Sequence, residues 1–442
     1  MRADSELTRR CPALFVSAPA SNQGKTTVTA ALARLHASLG RTVRVFKTGP
    51  DFLDPMILER AAGQPVYQLD LWMGSEAHCR DLLFDAAGTA DLILIEGMMG
   101  LFDGAPSSAD LAQRFGVPVL LVIDAEAMAQ TFGAVAHGLT HYRDGLSVRG
   151  VVANRVAGER HAELVKEGVR AGVPFLGSLS RDAQLELPAR HLGLVQAEEV
   201  LDLEQRLAAA ARLLQKSALT ELPPAVEFCA TDPATAQSPA SPLPPLLAGV
   251  RVGVARDRAF SFVYHANLDV LRAMGAEIVF FSPLVQEELP TVDSLYLPGG
   301  YPELHVAQLG ANRAMVHALR VHIEANKPVY AECGGMLYLL ESLTDVRGHS
   351  TSLAGILPGH VVMHERLRAL GYQTAPLPGG AVRGHTFHYS TIETPMRAAA
   401  YAERHGNPAP GEPIYQQGRV VASYFHGYFP SNPLATAQLF AR

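Results

Sequence analysis

The cysteine best placed for chemistry is Cys333, which stands between a short β-rich run and a helical pattern. The segment Lys327–Leu340 reads KPVYAECGGMLYLL, so the strand pattern breaks at the cysteine and two glycines. This order is typical of a nucleophile elbow, a tight turn that lifts one side chain clear of a sheet. A thiol there lies near a helix N-terminus, whose partial positive charge favours the thiolate. The alternative is a buried structural cysteine, which is the common case for a cysteine considered alone.

A catalytic thiolate needs a general base, and the second half of the chain offers several histidines. His426 stands in VVASYFHGY, at the end of a β-rich run from which an imidazole could face the elbow. His385 and His388, in RGHTFHYS, are the runners-up. Gly300, in LPGG, follows another predicted strand. Its backbone N–H could form an oxyanion hole together with that of Gly334. These residues together predict acyl-transfer chemistry.

A phosphate-binding pattern lies near the start of the chain. SNQGKTT stands between the apolar run ALFVSA and the helical run TTVTAALARL, which is the strand–loop–helix order of a P-loop. Gly24 and Thr27 belong to this nucleotide site, Lys25 would reach the phosphate oxygens and Thr26 would bind Mg²⁺. Pro19 stands where the pattern GxxxxGK[ST] has its first glycine. The placement favours a nucleoside-triphosphate site over a plain turn.

Two further segments carry acidic residues where predicted strands end. KTGPDFLDP supplies Asp51 and Asp54, and IEGMMGLFDG supplies Glu96 and Asp103. Ligands of open parallel sheets bind beyond the carboxyl ends of the strands, so both segments should converge on the phosphate loop. Asp51 and Glu96 are therefore candidate Mg²⁺ ligands, with helix capping as the alternative role. Asn154, at the end of VRGVVANRV, is a candidate contact to the adenine of ATP.

The elements that must position these residues form two series of alternating strand and helix patterns. Continuous Val/Ile/Leu runs between helices indicate parallel sheets covered on both faces. Residues 216–248 are rich in Pro, Ala and Ser and show no periodicity, so they predict a linker. The sequence therefore predicts an α/β protein with domains at 1–215 and 249–442.

Length and composition narrow the class of protein further. A chain of 442 residues exceeds one ordinary core, and its net charge of −6 gives no reason to expect nucleic acid. No window approaches the ~18 apolar residues of a membrane span. Four scattered cysteines without a CxxC pair suit a reducing compartment. The run after Arg9 and Arg10 is interpreted as a first strand rather than an export signal, so a cytoplasmic location is predicted.

The two sites suggest a division of labour. Cys333 would attack the side-chain amide of glutamine and release ammonia through a glutamyl thioester. The first domain would transfer the γ-phosphate of ATP to a carboxylate, because a free carboxylate is a poor electrophile and an acyl phosphate is a good one. Ammonia would then attack the acyl phosphate to form an amide. The residues do not name the acceptor.

The ordered motifs resemble those of one enzyme family. SNQGKTT, KTGPDFLDP, IEGMMGLFDG, LPGGYPE, AECGGMLYL, RGHTFHYS and SYFHGYF are similar to the motifs of the cobyrinic/hydrogenobyrinic acid a,c-diamide synthases, which are cobalamin-pathway glutamine amidotransferases. The resemblance omits only the first few residues and the linker. It implies a dethiobiotin-synthetase-like P-loop domain and a class I glutaminase domain of flavodoxin-like fold. It also implies that Mg-ATP and glutamine are used to amidate the a and c acetate side chains of a corrin-ring acid.

The resemblance carries site roles over to matching positions. Cys333 matches the nucleophile and His426 the base, while Asp54 and Asp103 match acids near the acceptor. Two residues beyond His426, where many class I glutaminases have a glutamate, this chain has Tyr428. The resemblance therefore implies a Cys–His dyad rather than a full triad.

Several alternatives stay open at this point. Within the class they are cobyric acid synthase and sirohydrochlorin a,c-diamide synthase, although KTGPDFLDP favours the diamide enzyme. Outside it they are a deviant-Walker switch ATPase, which has no use for Cys333, and a stand-alone glutaminase or peptidase with a degenerate ATP domain. Thr386 stands where relatives often have glutamate, without an assigned role. The cobalt content of the acceptor, the order of amidation, the ammonia path and a homodimeric state are left open.

Overall fold

The computed structural model describes residues 8–182, 189–190, 193–194, 196–231 and 243–442. The chain divides into two units, each described by itself below. The N-terminal unit comprises Met1–Leu71 and Glu76–Ser238, and the C-terminal unit comprises Trp72–Ser75 and Pro239–Arg442. Residues 1–7 and 232–242, which belong to the predicted first domain and linker, lie outside the described residues.

The N-terminal unit is an α/β layer structure whose elements follow one another in near-regular alternation. Its elements are β1 (Thr8–Ser17), α1 (Lys25–Ser38), β2 (Val43–Thr48), α2 (Leu53–Ala62), β3 (Tyr67–Leu69), α3 (Glu76–Ala87), β4 (Leu92–Glu96), α4 (Ser108–Arg114), β5 (Val119–Asp124), α5 (Thr131–His141), β6 (Val148–Val156), α6 (Glu159–Gly168), β7 (Phe175–Ser180), β8 (Ala189–Arg190), β9 (Gly193–Leu194), a 3₁₀ turn (Ala197–Glu199), α7 (Leu203–Leu214), a 3₁₀ turn (Ala218–Thr220) and β10 (Ala225–Cys229).

Seven parallel strands form the centre of this unit, in the order β3-β2-β4-β1-β5-β6-β7. Alternate residues of the central strands point into two separate apolar clusters, one on each face, which explains their continuous Val/Ile/Leu runs. The continuous Val/Ile/Leu runs that predicted a parallel sheet form β1, β2, β4, β5 and β6. Because β1, β2 and β4 are parallel neighbours, the loops that follow them meet at one edge of the sheet.

The predicted linker needs one correction. Ala225–Cys229 lies inside the segment 216–248, yet it forms the strand β10 and pairs antiparallel with the start of β1. Phe228 is buried there. The run AVEFC is too short to show a period among the surrounding prolines, and its partner strand lies more than two hundred residues earlier. At least this part of the segment is therefore a piece of the first sheet.

The C-terminal unit contains a second α/β series followed by a run of strands. Its elements are β11 (Arg251–Ala255), α8 (His265–Ala273), β12 (Glu277–Phe281), β13 (Ser294–Leu297), a 3₁₀ turn (Pro302–Leu304), α9 (Val306–Ala311), α10 (Arg313–Glu324), β14 (Val329–Glu332), α11 (Gly334–Leu339), β15 (Ser342–Thr344), β16 (Ser350–Ser352), β17 (His360–Met363), β18 (Ala369–Leu377), β19 (Gly380–His388), β20 (Ser390–Glu393), β21 (Ala400–Arg404), β22 (Pro410–Gln417), β23 (Val420–Ser423), β24 (His426–Gly427), a 3₁₀ turn (Phe429–Ser431) and α12 (Pro433–Phe440).

One ten-stranded sheet runs through this unit in the order β12-β11-β13-β14-β23-β22-β21-β18-β19-β24. The first five strands are parallel, as in a flavodoxin-like sheet, and the remainder are antiparallel. Two apolar clusters cover its faces. The late strand β23 therefore returns the chain to the edge of β14, and the elbow cysteine follows β14.

Two chain-wide expectations can be compared with the structure. All four cysteines are free thiols, as their scattered positions predicted. No helix in the described parts of the chain has the length and apolar character needed to cross a membrane.

Candidate active sites

The phosphate loop lies between β1 and α1, and its backbone depends on a glycine. Gly24 has φ 90°, in the left-handed region, and its carbonyl accepts the first helical hydrogen bond from Val28 N at 3.0 Å. A Cβ at Gly24 would collide with the side chain of Asn154. Asn154 Nδ2 also donates to Gln23 O at 2.9 Å. Asn154 therefore lies against the phosphate loop, while its contact to adenine stays a prediction.

Lys25 joins two of the converging loops. Its Nζ donates to Met99 O at 2.6 Å and to Ala20 O at 3.2 Å. Burial, and secondarily the positive charge of Lys47, lower the pKa of Lys25. Thr26 and Thr27 follow it in the first turn of α1. The lysine is therefore held beside the loop that follows β4, where the phosphate oxygens of a nucleotide would reach it.

The acidic segments converge on a lysine to which the sequence analysis assigned no role. Lys47 Nζ lies 2.6 Å from Asp54 Oδ2, 2.7 Å from Glu96 Oε1 and 3.7 Å from Asp51 Oδ2. Burial opposes the lysine's charge, but Glu96, Asp54 and Asp51 outweigh it and raise the pKa of Lys47. Its place in KTGPDFLDP, near the end of β2 and just before two acids, was the available signal. The site is thus a buried cation among three carboxyl groups.

The three acids differ in their protonation. Burial and the neighbouring Asp54 raise the pKa of Asp51 to about 7. The pKa of Asp54 is lowered, because Lys47 outweighs the effect of burial, whereas burial raises that of Glu96. Asp51 Oδ1 also accepts from Leu53 N at 2.9 Å and Asp54 N at 3.3 Å, so Asp51 does cap α2. The capping role that the sequence left as an alternative is therefore present.

The same cluster fits a magnesium ion shared with phosphate oxygens. Thr26 Oγ1 donates to Glu96 Oε1 at 2.9 Å, so a hydroxyl and a carboxylate stand side by side. Glu96 Oε2 is buried and has no hydrogen-bond partner among the described residues. No group of three or more His, Cys, Asp or Glu in those residues forms a metal cage by itself. Mg²⁺ suits such a site because it keeps waters and phosphate oxygens beside one or two carboxylates.

Asp103 holds its own loop in place. Its Oδ2 accepts from Gly100 N at 3.0 Å, and a Cβ at Gly100 would collide with this carboxylate. The loop is also tied to the end of β1, where Leu101 N donates to Ala18 O at 2.7 Å. Asp103 therefore lies near the phosphate loop, and its contact with an acceptor stays a prediction.

In the C-terminal unit, Cys333 occupies a strained turn between β14 and α11. Its φ is 40° and its ψ is −108°, a conformation that non-glycine residues rarely adopt. Cys333 N donates to Ser423 O at 2.7 Å, which fixes the turn against β23. A Cβ at Gly335 would collide with Leu297 O, so only a glycine at this position lets α11 approach β13. This geometry is that of a nucleophile elbow.

The charge state expected for this cysteine needs a correction. Burial raises the pKa of the Cys333 thiol well above its ordinary value, and the nearby Glu303 raises it further. Helix α11 has only six residues, so its N-terminal field is too weak to reverse the effect of burial. The group is therefore a thiol in this structure, and a base must remove its proton.

The proposed oxyanion amides lie side by side. A Cβ at Gly334 would stand 3.0 Å from Gly300 N and 2.9 Å from Pro302 Cδ, so the two glycine backbones nearly touch. Gly300 has φ 156° and follows β13, whereas Gly334 opens α11. A substrate oxygen bound beside Cys333 would therefore meet backbone from two different elements.

His426 lies at the start of β24 and is buried. A Cβ at Gly299 would collide with its ring, and the His385 ring stacks on it with centroids 5.1 Å apart. Burial, then His385 and His388, lower the pKa of His426 well below its ordinary value. The imidazole is therefore neutral, which is the form that can accept a proton. Gly299 lies against this ring, and the next residue, Gly300, lies against Gly334 of the elbow.

The two runner-up histidines are neighbours of this site with other partners. His385 Nδ1 lies 3.2 Å from the Tyr264 hydroxyl, and burial lowers the pKa of His385 to about 3. His388 Nε2 lies 3.1 Å from Glu412 Oε1, which also accepts from Thr386 Oγ1 at 3.2 Å. Thr386 therefore serves a buried His–Glu pair that is contributed by two strands.

An acidic residue beside His426 escaped the sequence analysis. Glu332 is buried at the end of β14, and its Oε2 lies 4.0 Å from His426 Nδ1. The same oxygen accepts from the Tyr296 hydroxyl at 2.7 Å, and Oε1 accepts from Gly427 N at 2.8 Å. Burial raises the pKa of Glu332 to about 8. Its signal was a charged residue inside an apolar strand, directly before the nucleophile.

The folds and sites define a class: a two-domain P-loop protein with a glutamine amidotransferase domain. Residues 14–195 match the model of the CobQ/CobB/MinD/ParA nucleotide binding domain. Residues 251–434 match the model of the CobB/CobQ-like glutamine amidotransferase domain. The predicted fold class, with its nucleotide-binding and amidotransferase domains, is therefore confirmed.

Full-length relatives give the particular family. The chain is 59% identical to the hydrogenobyrinate a,c-diamide synthase of Stutzerimonas stutzeri, covering 98% of this chain and 99% of that protein. It is 58% identical to the protein of the same name from Pseudomonas aeruginosa, covering 98% of each. A cobyrinate a,c-diamide synthase of Herminiimonas arsenicoxydans is 48% identical, covering 99% of this chain and 98% of that protein. The chain belongs to the hydrogenobyrinate/cobyrinate a,c-diamide synthase family, which confirms the resemblance of its motifs.

Proposed function

We propose that this enzyme uses ATP and glutamine to amidate the a and c acetate side chains of hydrogenobyrinic acid, the cobalt-free corrin acid, in cobalamin biosynthesis. The observation that carries the proposal is the end-to-end similarity to two hydrogenobyrinate a,c-diamide synthases, at 59% and 58% identity. The relative named for the cobalt-bearing acid is less similar, at 48%. Cobyrinic acid is therefore the second candidate acceptor.

The glutaminase half of the reaction belongs to the C-terminal unit. Cys333 Sγ attacks the carbonyl carbon of the glutamine side-chain amide, and His426 takes the thiol proton and passes it to the leaving nitrogen. The amides of Gly300 and Gly334 stabilise the oxygen that becomes negative in the tetrahedral intermediate. Ammonia leaves, and water hydrolyses the glutamyl thioester to glutamate and restores the thiol. The elbow geometry and the neutral imidazole support these roles.

The synthetase half belongs to the N-terminal unit. Gly24, Lys25 and Thr27 bind the nucleotide phosphates, with Asn154 at the base, and the γ-phosphate passes to an acetate carboxylate of the acceptor. Thr26, Asp51 and Glu96 would hold Mg²⁺, which would neutralise and orient the phosphates when bound. Ammonia then attacks the acyl phosphate, forms the amide and releases phosphate. The buried Glu96 Oε2, which has no hydrogen-bond partner among the described residues, and the Thr26 hydroxyl that donates to Oε1 support the metal assignment.

Asp54 and Asp103 are proposed to border the acceptor. The Asp54 carboxylate accepts a hydrogen bond from Lys47 of β2, and that of Asp103 accepts one from Gly100 N in the loop after β4. These acids would therefore shape the acceptor's site together with Lys47. Because the acceptor carboxylates are themselves anions, Lys47 would offset the charge of these acids as the acceptor approaches.

One experiment distinguishes the two acceptors. The purified enzyme is incubated with Mg-ATP, glutamine and either hydrogenobyrinic or cobyrinic acid, and the masses of the corrin products are measured by mass spectrometry. We expect hydrogenobyrinic acid to gain two amides, and cobyrinic acid to react more slowly. A faster gain on cobyrinic acid would reverse the assignment, and no gain on either acid would refute the function.

A homodimer and a cytoplasmic location stay predictions from the sequence. Sedimentation of the purified enzyme at micromolar concentration would test the dimer. Fractionation of producing cells would test the location.

A further inference from the structure

We propose that Glu332 is the positioning acid of the glutaminase site, orienting His426 in place of the glutamate that Tyr428 replaces. The inference rests on the proposed glutaminase function. It changes the expected Cys–His dyad into a triad whose third member comes from the strand that carries the nucleophile. Glu332 does not touch glutamine in this scheme; it acts through the imidazole.

The backbone places this carboxyl group on the correct side of the ring. Glu332 is the last residue of β14, and it pairs with Ser423 on the parallel strand β23, three residues before His426. Its Oε1 accepts from Gly427 N at 2.8 Å, so it is tied to the residue directly after the histidine. Its Oε2 lies 4.0 Å from His426 Nδ1. In this scheme the nitrogen on the other side of the ring, Nε2, exchanges the proton with the thiol.

A carboxyl group at Nδ1 has a defined chemical use. In a catalytic triad, the buried acid fixes the tautomer and orientation of the imidazole and stabilises the imidazolium that forms when the base takes a proton. His426 needs this stabilisation because burial and two neighbouring histidines disfavour its charged form. Catalytic hydrogen bonds often tighten only when substrate is bound, and a shift of roughly 1 Å would bring Glu332 into contact.

The surroundings hold Glu332 for this purpose. The Tyr296 hydroxyl donates to Oε2 at 2.7 Å, and both residues are fully buried, so water does not compete for the carboxyl group. The side chain of Tyr428 packs edge-on against Tyr264. The position that carries the acid in many class I glutaminases is therefore filled by an aromatic cluster. Glu412, another buried acid nearby, is engaged by His388 and Thr386.

The test compares Glu332→Gln with wild-type enzyme. Glutamine has the same shape and can still accept from Gly427 N, but it cannot lose a proton to become the carboxylate that stabilises an imidazolium. We expect kcat with glutamine to fall about 10²-fold or more, within the range of general acid–base catalysis, while KM for glutamine changes little. Amidation with free ammonium should stay unchanged. Glu324→Gln, at the exposed end of α10, is the matched control and should behave as wild type.

Three further readouts separate positioning from a structural role. Alkylation of Cys333 by iodoacetamide should slow in Glu332→Gln, and Glu332→Asp should recover part of the glutamine-dependent rate. The pH dependence of kcat/KM should also change. The groups that bear on it are His385, His388 and Glu332 around the base, and Glu303 and Glu412 near the thiol.

Each outcome has a distinct meaning. Unchanged glutamine-dependent kcat in Glu332→Gln would overturn the inference. An equal loss of the ammonium-dependent rate would also overturn it, because it would show a role in the fold. If wild-type enzyme releases no glutamate from glutamine, the proposed function itself is wrong.

Discussion

The two sites of this chain differ in whether their side chains are charged in the resting enzyme. In the N-terminal unit, Lys47 stands within hydrogen-bond distance of Asp54 and Glu96, so full charges are buried together and compensate one another. In the C-terminal unit, burial holds the Cys333 thiol and the His426 imidazole neutral. The first site is therefore charged in its resting state, whereas the second must create its charges during the reaction.

The difference follows from the two substrates. A nucleoside triphosphate brings large charges of its own, and a preorganised charged site can bind it without rearrangement. Glutamine offers a neutral amide, and its side chain needs a nucleophile only at the moment of attack. A thiol that ionises only beside its base is protected from other reactions, because the thiolate is the reactive form.

Removing the nucleophile should give the largest effect and separate the two sites. In Cys333→Ala, glutamine-dependent amidation should fall by about 10⁴-fold or more, since no other group can form the thioester. Amidation with ammonium should continue, and ADP release with either nitrogen source measures both. Cys229→Ala, at an exposed cysteine, is the control. Loss of the ammonium-dependent rate would show that the sites do not act separately.

Removing the buried cation tests the claim that charges in the N-terminal unit compensate one another. Lys47→Met leaves Asp54 and Glu96 buried without their partner, which should lower the free energy of unfolding by about 3–5 kcal/mol. Denaturant titration followed by circular dichroism measures this loss. Lys216→Met, at an exposed position after α7, is the control. A stability within error of wild type would mean that the carboxyl groups adapt by binding protons.

The phosphate-loop lysine should affect both nitrogen sources alike. In Lys25→Met, amidation with glutamine and with ammonium should each fall about 10²-fold, because both routes need the acyl phosphate. Alkylation of Cys333 should keep its wild-type rate. Lys166→Met, on the exposed face of α6, is the control. Selective loss of only the glutamine-dependent rate would contradict the assignment of Lys25 to the phosphates.

The smallest effect is a pH dependence that reports the neutral thiol. Because burial raises the pKa of Cys333, its thiolate fraction should grow with pH throughout the neutral and mildly alkaline range. The rate of Cys333 alkylation should therefore rise about tenfold per pH unit up to at least about pH 9. Mass spectrometry of the peptide that carries each cysteine measures this rate. In the urea-unfolded chain the rate should level off near an ordinary thiol pKa of about 8.5. A plateau near pH 7 in the folded enzyme would show a resting thiolate instead.

The sequence by itself determined the elements whose signals are local. SNQGKTT, the acids after β2 and β4, and the elbow at Cys333 each lie within a short segment at the end of a strand. Parallel-sheet geometry is general enough to predict that such strand ends converge. His426 was predicted in the same way, because it ends a β-rich run.

Only the tertiary structure decided what depends on partners distant in the chain. Nothing near Lys47 in sequence shows that Glu96 lies 2.7 Å away, and nothing near His426 points to Glu332. Strand β10 was mistaken for linker because its partner β1 lies at the other end of the unit. The protonation states of these groups were also decided by the tertiary structure, because burial sets them and burial is produced by the whole fold. The motifs predict the reacting groups, and packing decides which of them carry charge.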